Sequence, residues 1–67
     1  MADRARREIY AKMRELEVGQ FVSTTIGNAK ESYPYRQAAT YLGKTFGVVF
    51  AVHYDFTSGK LTITRTK

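Results

Sequence analysis

One segment of this chain, residues 34–47, separates at helical spacing into two faces of different chemistry. Its apolar residues fall on one stripe, and its polar and cationic residues fall on the opposite side. The apolar stripe consists of Tyr35, Ala38, Ala39, Leu42 and Phe46, and the opposite face consists of Arg36, Gln37, Thr40, Tyr41 and Lys44. A helix of this kind needs a core on one side, and it leaves the other side either to water or to a polyanion such as nucleic acid.

Another helix, the first along the chain, is predicted at its start, because residues 2–16 are rich in good helix formers. Its apolar residues recur at spacings of four, four and three and are expected to face the core; they are Ala5, Ile9, Met13 and Leu16. Arginines follow another side of the same helix, where they either solubilise it or contact phosphates. The candidate phosphate contacts among them are Arg4, Arg7 and Arg14.

The rest of the chain predicts strands. Residues 21–26 and 48–55 are dense in β-branched and aromatic residues, and we interpret residues 48–55 as a largely buried central strand. Residues 56–60 predict a hairpin loop, after which residues 61–67 alternate apolar and threonine positions. The order helix, strand, helix, strand, strand predicts a single α+β domain over residues 1–67. We expect a three-stranded antiparallel sheet with the helices packed on one face and the threonine face left open.

The loop between the last two strands resembles the wing of a winged-helix domain, in which the preceding helix enters the major groove of DNA and the hairpin touches the backbone. That resemblance implies phosphate contacts by Lys44 and Lys60, and base contacts by Arg36, Gln37, Thr40 and Tyr41. Only residues 28–33 are available for the middle helix of that fold, which is enough for one short turn. The alternative fold is therefore a degenerate winged helix.

Charge favours an anionic partner. Eleven lysines and arginines against six acidic residues give a net charge of +5 on only 67 residues, which attracts polyanions over long range.

The chain has no cysteine, so its stability must come from apolar packing or self-association. It has no apolar run of about 18 residues, so we expect neither a signal peptide nor a membrane span. These features favour a cytoplasmic protein that does not enter membranes.

Catalytic chemistry finds little support. His53 is the only histidine, and the carboxylates are scattered along the chain. The tripeptide that begins at Gly43 matches the end of a phosphate-binding loop, but Ala38 stands where that motif needs glycine, and the tripeptide falls at a helix end. We therefore predict a non-enzyme without a metal or cofactor site.

A further similarity lies in the sequence LEVGQ, a helix that ends in GKTF, and a closing strand that contains Arg65. In these features residues 16–67 resemble small uncharacterised proteins encoded by bacteriophages and prophages. The resemblance implies an intracellular accessory protein of phage type that acts on nucleic acid or on a host protein.

Two functions are compatible with these observations. The first is nucleic-acid binding, with DNA favoured over RNA, through the arginines of the first helix together with Arg36 and Lys44; Gln37, Thr40 and Tyr41 add polar or stacking contacts. A variant of this function coats nucleic acid without base preference. The alternative is a protein-interaction module, either an inhibitor of an acidic host protein or a homodimer. It would be anchored by Tyr33, Tyr41 and Phe56 or paired through the exposed edge of the last strand.

Overall fold

The computed structural model describes residues 2–67, with side chains described from Arg6 onward. The elements are α1 (Ala2–Glu15), β1 (Phe21–Thr25), a 3-10 turn (Ala29–Ser32), α2 (Tyr33–Phe46), β2 (Phe50–Asp55) and β3 (Lys60–Arg65). The predicted α+β class and element order are confirmed. Within residues 2–67, no helix combines the length and the apolar character needed to cross a bilayer.

The three strands form one antiparallel sheet in the order β1-β3-β2. The prediction that residues 48–55 form a buried central strand is therefore wrong, because β2 lies at an edge and alternates half-buried and exposed side chains. The central strand is β3, which pairs with a neighbour on each side and buries Leu61 and Ile63 completely. Since the last strand has no unpaired edge, it cannot offer the edge predicted for partner pairing.

Both helices cover the same face of the sheet, as expected, and the core lies between the two layers. Its buried members are Ile9, Met13, Leu16, Val22, Ile26, Tyr35, Leu42, Leu61 and Ile63. The predicted core face of α1 is confirmed at Ile9, Met13 and Leu16, whereas Ala5 lies outside the described side chains. The helices meet where the ring of Tyr10 packs edge to face on that of Tyr35, with centroids 5.9 Å apart.

The apolar stripe predicted for α2 is correct except at its last member. Tyr35 and Leu42 are buried, and the two alanines between them are half-buried, but Phe46 is 60% exposed. Phe46 has the appropriate helical angle, yet it lies in the final turn, one turn past Leu42. A cleft of about 280 Å³, lined by Leu16, Phe46 and Phe50 among others, lies at this end of α2 in place of tight packing. A helical pattern gives the direction of a side chain but not how far the core beneath it extends.

The end of α2 is fixed by two glycines. Gly47 adopts a left-handed conformation with φ 68°, and its N–H donates to the carbonyl oxygen of Gly43. A Cβ on Gly43 would lie 2.9 Å from the main-chain oxygen of Val48, so this glycine lets the helix end approach the chain that enters β2. Packing thus explains the glycine of the tripeptide that matched a phosphate-binding loop.

Candidate nucleic-acid interface

Six side chains of α2 line one shallow, open surface, which we call the α2 face: Tyr33, Arg36, Gln37, Thr40, Tyr41 and Lys44. All six residues are exposed, including the tyrosines Tyr33 (61%) and Tyr41 (64%). The sequence of α2 contains no aspartate or glutamate, so no carboxylate of its own helix offsets the two cations. The structure thus brings together all five residues that the sequence predicted on this helix, and it adds Tyr33.

The 3-10 turn before α2 positions Arg36. Arg36 Nε donates to Ser32 Oγ at 3.3 Å, and the buried Ser32 hydroxyl donates in turn to the main-chain oxygen of Ala29 at 2.6 Å. The turn is itself capped by Asn28, whose side-chain oxygen accepts from the N–H of Glu31. Because the bond to Ser32 uses only one donor of the guanidinium, the terminal amino groups of Arg36 keep their capacity to bind an anion.

The two polar residues predicted to read bases differ in what they can offer. Thr40 Oγ1 donates to the main-chain oxygen of Arg36 at 3.1 Å, which commits its hydroxyl hydrogen and leaves it as an acceptor. Gln37 is exposed on the same face, and its amide supplies both donors and an acceptor. Gln37 is therefore the better suited of the two to form a paired hydrogen bond with a base edge.

α1 extends the basic surface through Arg14. This residue lines a groove of about 380 Å³ between the helices, together with Gln37 and Tyr41 of the α2 face. Arg7 is exposed and lies about two helical turns earlier on the same side of α1 as Arg14. The remaining predicted arginine, Arg4, lies outside the described side chains.

Lys60 is not part of this surface. It alternates along β3 with the buried residues Leu61 and Ile63, so it belongs to the face of the sheet that points away from both helices. Its neighbours across the sheet are Thr25 and Asp55. The winged-helix comparison implied that Lys60 and Lys44 contact phosphates together. The structure instead places Lys60 on a different surface from Lys44.

The hairpin loop is organised by Asp55. Its carboxylate accepts from the N–H of Thr57 at 2.9 Å and from the hydroxyl of Ser58 at 3.0 Å. These hydrogen bonds hold the pKa of Asp55 below its usual value.

As expected from the available length, a single short turn (Ala29–Ser32) stands where a winged helix has its middle helix.

The sequence did not predict a second groove, which runs between α2 and β2 and has a volume of about 390 Å³. Arg36, Thr40 and Lys44 line one side of it, and Val49, Phe50 and Val52 line the other. Predicting it required placing β2 at the sheet edge. The alternation of larger apolar and smaller or polar residues from Phe50 to Asp55 indicates a strand covered on one face only, but it does not distinguish an edge strand from a central one.

The fold and this surface define a small α+β protein with a basic, aromatic helix face. Comparison with protein-family models, with curated proteins and with solved structures finds no match to this chain. Within the described residues, histidine and carboxylate side chains form no group of three that could hold a metal ion.

Proposed function

We propose that this protein is a non-catalytic nucleic-acid-binding protein that lays its α2 face along DNA. The observation that carries the proposal is that two cations and two exposed tyrosines share one open helix face that has no carboxylate of its own. Cations neutralise phosphates, and exposed aromatic rings stack on bases or sugars. Arg14 and Arg7 continue the positive surface onto α1.

The dimensions of α2 are suited to a duplex. A helix of 14 residues is about 21 Å long, and the backbones of Arg36 and Lys44 are about 12 Å apart along its axis. Phosphates follow one strand of DNA at intervals of about 3.4 Å along the duplex axis, so the two cations span several of them. The major groove, about 12 Å wide, admits an α-helix. In this arrangement Gln37 and Tyr41 face the base edges while the cations hold the backbone.

Fluorescence anisotropy with labelled duplex DNA, single-stranded DNA and RNA tests the proposal at salt concentrations from about 50 to 200 mM. We expect binding to duplex DNA that weakens steeply over this range. The double variant Arg36→Gln/Lys44→Gln should bind at least about tenfold more weakly at low salt.

A matched control is Lys12→Gln/Lys60→Gln, which removes the same charge from exposed residues outside the proposed interface. Lys12 is two residues from Arg14, which turns it to the other side of α1. This variant should bind within about threefold of the wild type. Absence of binding at the lowest salt concentration, or equal weakening by the two double variants, would overturn the proposal.

One observation favours protein interaction as a second candidate function. Phe56 is 81% exposed in the turn between β2 and β3, where its ring packs edge to face on Tyr54 with centroids 5.1 Å apart. Exposed, preorganised aromatic rings are frequent anchors at protein interfaces, including those of homodimers. If the chain pairs with itself here, sedimentation equilibrium should show a dimer for the wild type and a monomer for Phe56→Ser. A wild type that remains monomeric would remove the homodimer form of this candidate.

A further inference from the structure

β2 offers an unpaired strand edge. The sheet order places β3 on one side of it, and among residues 2–67 no strand pairs with its other side. All six residues of β2 are in continuous register with β3, so the strand is regular along its whole length. Edge strands are commonly protected against added strands by lysine, proline or a bulge. β2, with the sequence FAVHYD and an unbroken register, has none of these protections.

The hydrogen-bond pattern shows which peptide groups lie at that edge. The main-chain oxygen of Val49 accepts from the N–H of Thr66, which makes residues 49 and 66 a hydrogen-bonded pair. Bonded and non-bonded pairs alternate along an antiparallel ladder. Ala51, His53 and Asp55 therefore bond to β3, and the peptide groups that point away from the sheet belong to Phe50, Val52 and Tyr54.

Positive charge lies above this edge. Phe50 and Val52 line the groove between α2 and β2, and Arg36 and Lys44 line its helix side. The groove therefore combines a row of peptide hydrogen-bonding groups, apolar side chains and two cations. The helix wall of the groove is α2, whose sequence contains no acidic residue that could balance the charges of Arg36 and Lys44.

We propose that the β2 edge and this groove bind an extended acidic peptide segment, which adds to the sheet as a fourth strand. Main-chain bonds to Phe50, Val52 and Tyr54 supply affinity, as in other cases of strand addition, and the side chains of the added strand that face α2 supply specificity. Carboxylates on that side meet Arg36 and Lys44. This proposal does not rest on the proposed nucleic-acid function, although both use the same two cations.

The spacing of the cations defines the expected ligand. Arg36 and Lys44 are about 12 Å apart along the helix axis, and residues four apart in a strand are separated by about 13.6 Å. The best segment therefore carries two acidic residues four positions apart, with an apolar residue between them on the same face. Because a bound segment of this kind neutralises both cations, it also competes with DNA for the α2 face.

Amide hydrogen exchange measured by NMR tests the proposal on the unmodified protein. The probe is a blocked synthetic peptide of the same length as β2, 6 residues, with glutamate at its first and fifth positions, valine at its third and threonine at the others. At saturation, we expect exchange at Phe50, Val52 and Tyr54 to slow by about tenfold or more. The built-in control is the other sheet edge, where the N–H of Arg65 donates to the oxygen of Gln20. The outward amides there belong to Phe21, Ser23 and Thr25, and their exchange should not change.

Two further arms test the role of charge. A peptide with lysine in place of glutamate should leave exchange at all six amides unchanged, and Arg36→Gln/Lys44→Gln should weaken binding of the acidic peptide by about two- to thirtyfold. The proposal is overturned if the acidic peptide leaves Phe50, Val52 and Tyr54 unprotected, protects the β1 edge instead, or is matched by the lysine peptide. It is also overturned if these amides are already protected without peptide in a manner that increases with protein concentration, because a second copy of the chain would then occupy the edge. Failure here would leave the DNA-binding proposal untouched, since that proposal is measured with DNA alone.

Discussion

Arg65 Nη1 donates to the main-chain oxygen of Leu16 at 2.9 Å, which joins two residues 49 positions apart in the chain. Leu16 directly follows α1, and Arg65 ends the central strand β3, so the bond fastens the first helix to the end of the sheet. Arg65 Nε also donates to the main-chain oxygen of Lys67 at 3.1 Å. Its guanidinium is thus engaged within the fold, and we assign it a structural role.

Replacing this arginine should therefore cost stability. Arg65→Met keeps a long, flexible side chain but leaves the oxygen of Leu16 without its charged donor, and we expect the free energy of unfolding to fall by about 1–3 kcal/mol. Denaturation by urea measures the loss. Lys67→Met, which removes an exposed cation two residues away, should change stability by no more than about 0.5 kcal/mol. Equal effects of the two substitutions would show that the bond to Leu16 contributes nothing.

Gly59 is expected to tolerate no side chain. Its φ is 72°, and a Cβ at this position would lie 2.9 Å from the main-chain oxygen of Ile26. The two residues are held close together because the N–H of Ile26 donates to the main-chain oxygen of Gly59. We expect Gly59→Ala to lower the free energy of unfolding by about 1–3 kcal/mol. Gly27→Ala is the matched control, because a Cβ there meets only the flexible carboxylate of Glu31 at 3.4 Å. Similar thermal unfolding midpoints for the two variants would contradict this account.

Tyr35 should make the fold sensitive to high pH. Burial of its phenol, followed by the proximity of Tyr10, raises its pKa above the usual 10.0. The folded state therefore holds this proton more tightly than the unfolded chain does. The resulting stability is fully present below pH 10.0 and is lost as the pH rises through the higher folded pKa. Tyr35→Phe should reduce the loss of stability at alkaline pH. An unchanged alkaline profile for Tyr35→Phe would refute the assignment.

Asp55 should make the fold sensitive to low pH. The N–H of Thr57 and the hydroxyl of Ser58 lower its pKa below the usual 3.8. The turn is therefore stabilised above pH 3.8, and this contribution is lost as the pH falls through the lower folded pKa. Asp55→Asn removes the titrating group, so its stability should decline less on acidification. An NMR titration that follows the Thr57 amide provides the direct readout, and a midpoint above 3.8 would be inconsistent with these bonds.

Local patterns in the sequence were sufficient to predict the elements and the residues that share the α2 face. The helical spacing of α2 placed Arg36, Gln37 and Lys44 on a common surface, because side-chain direction in a helix follows from position alone. Sheet order was not predictable in the same way. The aromatic and β-branched residues of β2 have the composition of a central strand, but β3, with no more of them, takes the centre because both neighbours pair with it.

The groove between α2 and β2 could not be predicted from the sequence for the same reason. It depends on which strand edge lies beneath Arg36 and Lys44, and this follows from tertiary pairing rather than from any local period. The position of Lys60 shows the same limit. Its place in a hairpin suggested a phosphate contact, whereas the alternation of β3 turns it to the face opposite the helices.

The most direct test of the central claim is the salt dependence of binding to duplex DNA for the wild type and Arg36→Gln/Lys44→Gln. If Arg7, Arg14, Arg36 and Lys44 each neutralise one phosphate, the slope of log K against log salt concentration should be about −3.6 for the wild type. The double variant should reduce its magnitude by about 1.8. Equal slopes for the two proteins would contradict the claim that the α2 face is the surface that contacts the phosphates.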